Sequence, residues 1–205
     1  SNACLGVLSG ILDIANRIEL GQIKAGMVVS CESARDIVEA TIDHMLAEPT
    51  MQNFAQSLAT LTGGSGAIAV ILTDGSLPLK NTRQHQLLGA SHLSAPEHHN
   101  LCEWGLQEAG HMLYREFMRT DAVTLLKEGV DLAKHTWDHF LAQRDWVVEQ
   151  VDKVICHQVG ASNRKQVLSA LNIPQEKEYP TYQTLGNMGS KKHSAPMGFM
   201  VDGKA

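Results

Sequence analysis

The 205-residue sequence lacks any apolar run near the roughly 20 residues that carry a helix across a bilayer. Its longest, such as residues 67–72, are of strand length. It also lacks a basic tract longer than Lys191-Lys192, and Lys plus Arg number 17 against 22 for Asp plus Glu, a net charge of −5. Phosphate contacts need clustered cations, so this balance argues against a nucleic-acid surface. No Cys-x-x-Cys pair occurs. Cys4, Cys31, Cys102 and Cys156 are widely separated, which favours free thiols in a reduced, cytoplasmic compartment over a disulfide framework. Low complexity is absent as well: 43% of residues are hydrophobic and 19% charged, which is globular composition. A chain of this length buries roughly 70% of the surface it exposes when unfolded, so its core requires neither disulfide nor metal.

What is present is an alternation of two periodicities. Leu5, Leu8, Leu12, Ala15 and Ile18 fall on one face of a helix over residues 5–20, with Asp13, Asn16, Arg17 and Glu19 opposite. A short strand is expected at 27–30, helices at 35–47 and 51–61, and a strand at 67–72 whose continuous apolar character predicts burial on both faces of a parallel sheet. The polar stretch 74–83 is the best internal boundary. Beyond it, 86–92 reads as strand, 94–110 as an irregular excursion, 111–118 as a weaker strand and 122–142 as a long helix. Val154-Ile155-Cys156 reads as a buried strand, 161–171 as a helix ended before Pro174, and 179–185 as extended. Strands alternating with helices predict an α/β protein. The order helix–strand–helix–strand recurs on both sides of residue 80.

Three positions stand out chemically. Cys4 immediately precedes the first helix, where unpaired backbone N–H groups favour the nucleophilic thiolate. The plainer account of Cys4 is a small buried hydrophobe at a helix end. His157 follows the apolar strand 154–156, at the kind of carboxyl-terminal strand end where α/β proteins place their sites. It serves equally as a hydrogen-bonded histidine at the core edge. Asn187 lies in Gly186-Asn187-Met188-Gly189, where two glycines permit close backbone approach and the amide both donates and accepts. Taken alone, that tetrapeptide is an ordinary turn. Gly63-Gly64-Ser65-Gly66 is not a P-loop, since no Lys-Ser or Lys-Thr follows and it enters a strand. His98, His99, Cys102 and Glu103 have no second matching pair to complete a zinc site, so no metal is expected.

Taken together, these segments resemble the ketoacyl-ACP synthase III branch of the thiolase superfamily. Asn2-Ala3-Cys4-Leu5-Gly6 resembles its nucleophile segment, His157-Gln158-Val159 its histidine motif and Gly186-Asn187-Met188-Gly189 its asparagine motif, in the family's order. Cys31-Glu32-Ser33-Ala34-Arg35 and Gly64-Ser65-Gly66-Ala67 fit the same pattern. His157-Gln158-Val159 and Met118-Arg119-Thr120-Asp121 lean toward the enzymes that join two fatty acyl thioesters head to head, the first step toward long-chain olefins. The resemblance covers residues 2–189. It implies a thiolase-like fold of two related half-domains, mixed sheets sandwiched by helices, expected here over 4–80 and 84–205. Residues 1–3 read as the scar of a cleaved tag.

The resemblance further implies that Cys4 takes an acyl group from CoA or an acyl carrier protein. His157 and Asn187 would then stabilise the enolate of a second thioester, whose attack on the acyl-Cys gives a β-keto product. No cofactor is implied beyond these thioester substrates. The implied partners are acyl-CoA, possibly acyl carrier protein and a second copy in a homodimer, with neither nucleic acid nor membrane span. Where carrier-protein-using synthases commonly hold an arginine five residues after the histidine, this chain has Ser162, with Arg164 two further on. The family's N-terminal portion before the cysteine and its Gly-rich C-terminal segment are not seen, so the chain is expected to be truncated at both ends. The rival readings are an acyltransferase of the same fold acting on an alcohol or amine, and a non-catalytic structural domain. A papain-like protease shares the order Cys, His, Asn but lacks its signature here.

Overall fold

The computed structural model describes residues 5–77, 85–108, 110 and 113–187, and the backbone of 200–202. Cys4, residues 78–83 of the boundary stretch, and residues 188 and 189 of the asparagine motif lie outside the described residues. Helix α1 (Gly6–Glu19) leads to strand β1 (Ala25–Glu32), helices α2 (Arg35–Ala47) and α3 (Met51–Leu61), and strand β2 (Gly66–Thr73). A hairpin follows, β3 (Cys102–Glu108) and β4 (Tyr114–Thr120), then α4 (Ala122–Arg144), β5 (Lys153–Ile155), α5 (Ala161–Ala170), the single turn α6 (Tyr182–Leu185) and β6 (Met200–Asp202). The chain is α/β, and helix, strand, helix, strand runs twice through it, once as α1 to β2 and once as α4 to β6.

Local chemistry explains the helix limits. Thr50 caps α3, its hydroxyl accepting from Asn53 N at 3.1 Å. Asp121 caps α4 by accepting from Thr124 N at 3.1 Å and Thr124 Oγ1 at 2.7 Å, and these bonds hold its carboxyl below the ordinary range. Such caps satisfy N–H groups that the first turn leaves without partners. Asp145 ends α4 in the left-handed conformation (φ 53°), its N–H returning to Ala142 O and that of Trp146 to Leu141 O.

Strand pairing departs from expectation. β2 pairs antiparallel with β1, Val28 opposite Val70 and Cys31 opposite Ala67, rather than joining a parallel sheet. Nor is β2 buried on both faces: Ile68 and Ile71 are exposed, as are Met27 and Val29 of β1. Helix α1 covers one face, that of Gly26, Val28 and Val70, and covers it incompletely, since Ile68 on the same face is exposed. There Val28 meets Gly10 and Ile14 meets Gly26, where an added Cβ would lie 2.8 Å from Ile14. The opposite face, with Met27, Val29 and Ile71, has no such cover among the described residues.

Residues 85–95 form no strand either. They run along α4, with Ser91 Oγ 2.7 Å from His139 Nδ1 and Gly89 beside the Arg144 side chain. The expected irregular excursion instead holds β3, in register with β4 from Cys102–Thr120 to Glu108–Tyr114. The alternation Cys102, Trp104, Leu106 was the period-2 signal for it. Residues 182–185 form a helical turn where extension was expected.

The best-packed core lies where α4, β5 and α5 meet. Trp137, Val151, Val154, Cys156, Val167, Leu168, Leu171 and Ile173 are all buried there. Phe140 bridges two tryptophans, stacked on Trp137 and edge-on to Trp146, with centroids 6.0 Å away in each case. No described helix is long and apolar enough to cross a membrane.

Candidate active site

The site is built from loop ends. His157 stands just past β5, at the carboxyl end of a strand anchored by fully buried Val154 and by buried Cys156. Burial lowers its pKa below the ordinary 6.5, because desolvation disfavours the imidazolium. The ring is therefore neutral at neutral pH and carries one N–H to donate.

The neighbouring Gln158 reaches across to residues 179–182. Its Oε1 accepts from Thr181 N at 2.6 Å, Thr181 Oγ1 at 3.1 Å and Tyr182 N at 3.0 Å, and its Nε2 donates to Tyr179 O at 2.9 Å. Tyr182 opens α6, which ends at Gly186 and delivers Asn187.

Asn187 is held from the other side by the glycine-rich turn before β2. Its N–H donates to Thr62 O at 2.8 Å, and its C=O accepts from Gly64 N at 2.8 Å, a short parallel bridge with Gly63. Gly63-Gly64 thus permits close packing of the two turns. Gly186 is required here, since it adopts φ 68° and ψ −167°, a region open essentially to glycine alone. An added Cβ would also lie 2.9 Å from Thr62 O, a carbonyl already fixed by Asn187 N. Gly186→Ala should therefore destabilise the fold by about 1–3 kcal/mol, read as a lowered urea midpoint. An unchanged midpoint would refute the close packing of these two turns.

Leu5 is the N-cap of α1, so the helix begins two residues after Cys4. Residues 5–8 are Leu-Gly-Val-Leu, and Leu5 has no polar side chain with which to cap the first turn. The other cysteines differ in character. Cys31 is exposed and Cys102 half-buried, its Sγ 3.5 Å from Thr120 Oγ1. Cys156 is buried, and that burial, with Glu178 beside it, pushes its thiol up to about 12. Alkylation of the native chain at about pH 8 should label Cys31 readily and leave Cys156 unmodified until denaturant is added. Peptide mapping checks this, and early labelling of Cys156 would contradict its burial.

Arg164 is turned inward. Its Nε pairs with Glu178 Oε2, while Nη1 donates to Gln175 Oε1 at 3.1 Å and Nη2 to Gln175 O at 2.9 Å. The Glu178 side chain is 0% exposed and that of Arg164 only 16%. This guanidinium is committed to the fold. His98 and His99 likewise serve locally, His98 Nε2 lying 3.6 Å from Glu128 and His99 Nδ1 3.2 Å from Pro96 O. A polar cleft lined by His44, Glu48, Asn53, Glu103, Arg119 and Asp121 includes neither His157 nor Asn187. Sequence reasoning quoted Gln158 but gave it no role, and it missed Thr62 entirely. A glutamine beside the histidine was a visible signal; a backbone carbonyl leaves none.

Residues 141–200 match the family described as the C-terminal domain of 3-oxoacyl-[acyl-carrier-protein] synthase III. An acyl-CoA:acyl-CoA alkyltransferase of Shewanella oneidensis is 88% identical over 190 residues, 93% of this chain and 54% of the relative. The protein of the same name from Xanthomonas campestris is 30% identical over 92% of this chain and 53% of its own length. The chain spans about half the length of the curated relatives it matches. The crystal structure of cerulenin-bound Xanthomonas OleA superimposes with a TM-score of 0.78 at 30% identity, covering 92% of this chain and 52% of that one. A variant of that protein with bound lauric acid and lauroyl-CoA gives 0.77 at 29% identity.

Proposed function

We propose that the chain is a thiolase-like condensing enzyme that acts in the head-to-head joining of two acyl-CoA molecules through an acyl-Cys4 intermediate. The observation that carries the proposal is the convergence of two turns. Gln158, next to His157, grips the segment that delivers Asn187. Two neutral hydrogen-bond donors from distant parts of the chain suit the stabilisation of developing enolate charge.

In the first half-reaction the Cys4 thiolate attacks the carbonyl of one acyl-CoA, a new C–S bond forms and CoA leaves as its thiolate. In the second, the α-carbon of another acyl-CoA loses a proton to a base. The resulting enolate oxygen receives hydrogen bonds from His157 and Asn187. The carbanion then attacks the acyl-Cys4 carbonyl, the C–S bond breaks, and a β-keto acyl-CoA departs as the Cys4 thiolate is restored. Deprotonation is favoured over decarboxylation because the relatives are named for two acyl-CoA substrates. CoA is favoured over acyl carrier protein as the donor handle because Arg164, the nearest arginine to the expected docking position, is folded onto Glu178. The reaction as written draws on the thioesters alone and needs no cofactor. The same reading places the enzyme in fatty acyl and long-chain olefin biosynthesis, in the cytoplasm, as a homodimer.

The test is incubation of the chain with saturated acyl-CoAs of increasing length, followed by intact-mass spectrometry and peptide mapping. A single acyl adduct on Cys4, followed by a β-keto product when excess acyl-CoA is present, is the expected result. Transfer of the acyl group to an added alcohol or amine, with no carbon–carbon bond formed, would assign the chain to acyltransferases instead. Absence of any adduct, both in this chain and in one spanning the full length of the relatives, would leave a non-catalytic domain.

A further inference from the structure

We propose that Gln158 is a positioning residue that sets the separation of His157 and Asn187; this rests on the reading that those two side chains act on one enolate. Gln158 is tied to His157 by a single peptide unit, and its side chain makes four hydrogen bonds to a segment more than twenty positions away in sequence. The orientation of its amide is unambiguous. Two of the groups facing Oε1 are backbone N–H donors, and the group facing Nε2 is a carbonyl.

The segment it grips is short and lies between two anchors, the Val154–Glu178 bridge before it and the Asn187–Gly63 bridge after it. Helix α6 is a single turn of four residues, and its N-cap residue Thr181 makes no side-chain cap bond of its own. A one-turn helix cannot hold itself in water, because nucleation costs more than its few bonds return. Gln158 supplies the missing cap from outside the helix by accepting from Thr181 N and Tyr182 N. At the other end, Gly186 N returns to Tyr182 O, and Asn187 is bridged to Thr62 and Gly64. Gln158 and the Thr62–Gly64 turn are therefore two clamps on one short element, and only the first also carries His157.

The consequence for chemistry follows from distance. Donors preorganised around an oxyanion lose their effect when displaced by about 1 Å, which costs on the order of 10²-fold in rate. Removing the clamp should cost condensation and spare acylation of Cys4, which does not use the His157–Asn187 pair. Gln158→Met keeps length and volume but loses all four bonds. Gln158→Glu keeps an acceptor for Thr181 and Tyr182 and loses the donation to Tyr179.

The experiment pairs kinetics with amide hydrogen exchange on the full chain. In Gln158→Met we expect Thr181, Tyr182 and Asn187 amides to exchange at least about tenfold faster, the loss of roughly one net hydrogen bond's protection. The amides of α5 should be unaffected. Condensation should fall about 10–10²-fold with the extent of Cys4 acylation unchanged, and Gln158→Glu should recover part of both losses. Unchanged exchange at Thr181, Tyr182 and Asn187 would overturn the proposal. So would loosened amides with full condensation. If the parent chain itself condenses nothing, the functional reading fails separately, and exchange alone then decides whether Gln158 holds the two segments together.

Discussion

Cys4→Ala is expected to abolish acyl adduct formation and to lower condensation by at least about 10³-fold, the loss expected when a covalent nucleophile is removed outright. No other thiol in the chain is suited to replace it. Cys156 is buried with its thiol pushed up to about 12, so its thiolate is scarce at neutral pH. Cys31 is exposed and serves as the control. It should alkylate with simple reagents in both parent and variant, yet take no acyl group specifically. Cys4→Ser should fall between the two, because a hydroxyl retains its proton at neutral pH and attacks thioesters slowly. Mass spectrometry of all three chains after exposure to the same acyl-CoA checks the series. An adduct that persists in Cys4→Ala, mapped to Cys31 or Cys102, would remove Cys4 from the mechanism.

His157→Ala is expected to lower condensation by about 10²–10³-fold, the range seen when one donor to a developing oxyanion is removed. Asn187→Ala should fall in the same range, and the double variant should lose less than the product of the two, since both act on one charge. The pH dependence carries further information. Burial depresses the His157 pKa, so the neutral donor persists as pH falls from 7 to about 6.5, where an exposed imidazole would already be half protonated. The condensation rate should hold across that interval and decline only at lower pH.

The sign for stability follows from the same shift. Between the depressed folded pKa and the unfolded value near 6.5, the unfolded chain binds the extra proton and the folded chain does not. The stabilising contribution of neutral His157 is thus present above about pH 6.5 and is lost as pH falls through the folded pKa. In His157→Ala that component of the acid sensitivity should vanish. A parent chain whose condensation rate titrates with a midpoint at or above 6.5 would contradict the burial of this ring.

Much of the fold was legible before any coordinates. α2 and α3 run over the residues that helical spacing predicted, and α1, α4 and α5 agree to within a few positions at their ends. Helical signals are local: apolar residues three and four apart, a cap such as Thr50 or Asp121, and Pro49 or Pro174 as a stop all act within one or two turns. The three candidate positions stand out in the sequence because each sits in a short segment with a recognisable neighbourhood. Cys4 precedes a helix, His157 ends a strand, and Asn187 lies between glycines.

Strand behaviour was not legible to the same degree. The apolar run of β2 states that the segment is hydrophobic, and says nothing of which strand it pairs with or in which direction. Its antiparallel register against β1 depends on residues some forty positions away. The stretch 86–92 has strand-like composition but, among the described residues, no partner strand, and it runs along α4. The period-2 pattern of β3 is short and interrupted by Gly105, and it becomes a strand only through its pairing with β4. Pairing is a long-range event governed by loop closure and burial, and local composition does not encode it.

The sequence by itself determined where the long helices can form and which side chains could carry the chemistry, since helix periodicity and motif order are properties of neighbouring residues. Only the tertiary structure decided that Arg164 is spent on buried Glu178, that Gly186 must fit beneath Thr62 O, and that Gln158 couples the His157 turn to Asn187. Those are contacts between residues distant along the chain. Their hydrogen bonds exist only once burial of the α4–β5–α5 core has brought the two turns together.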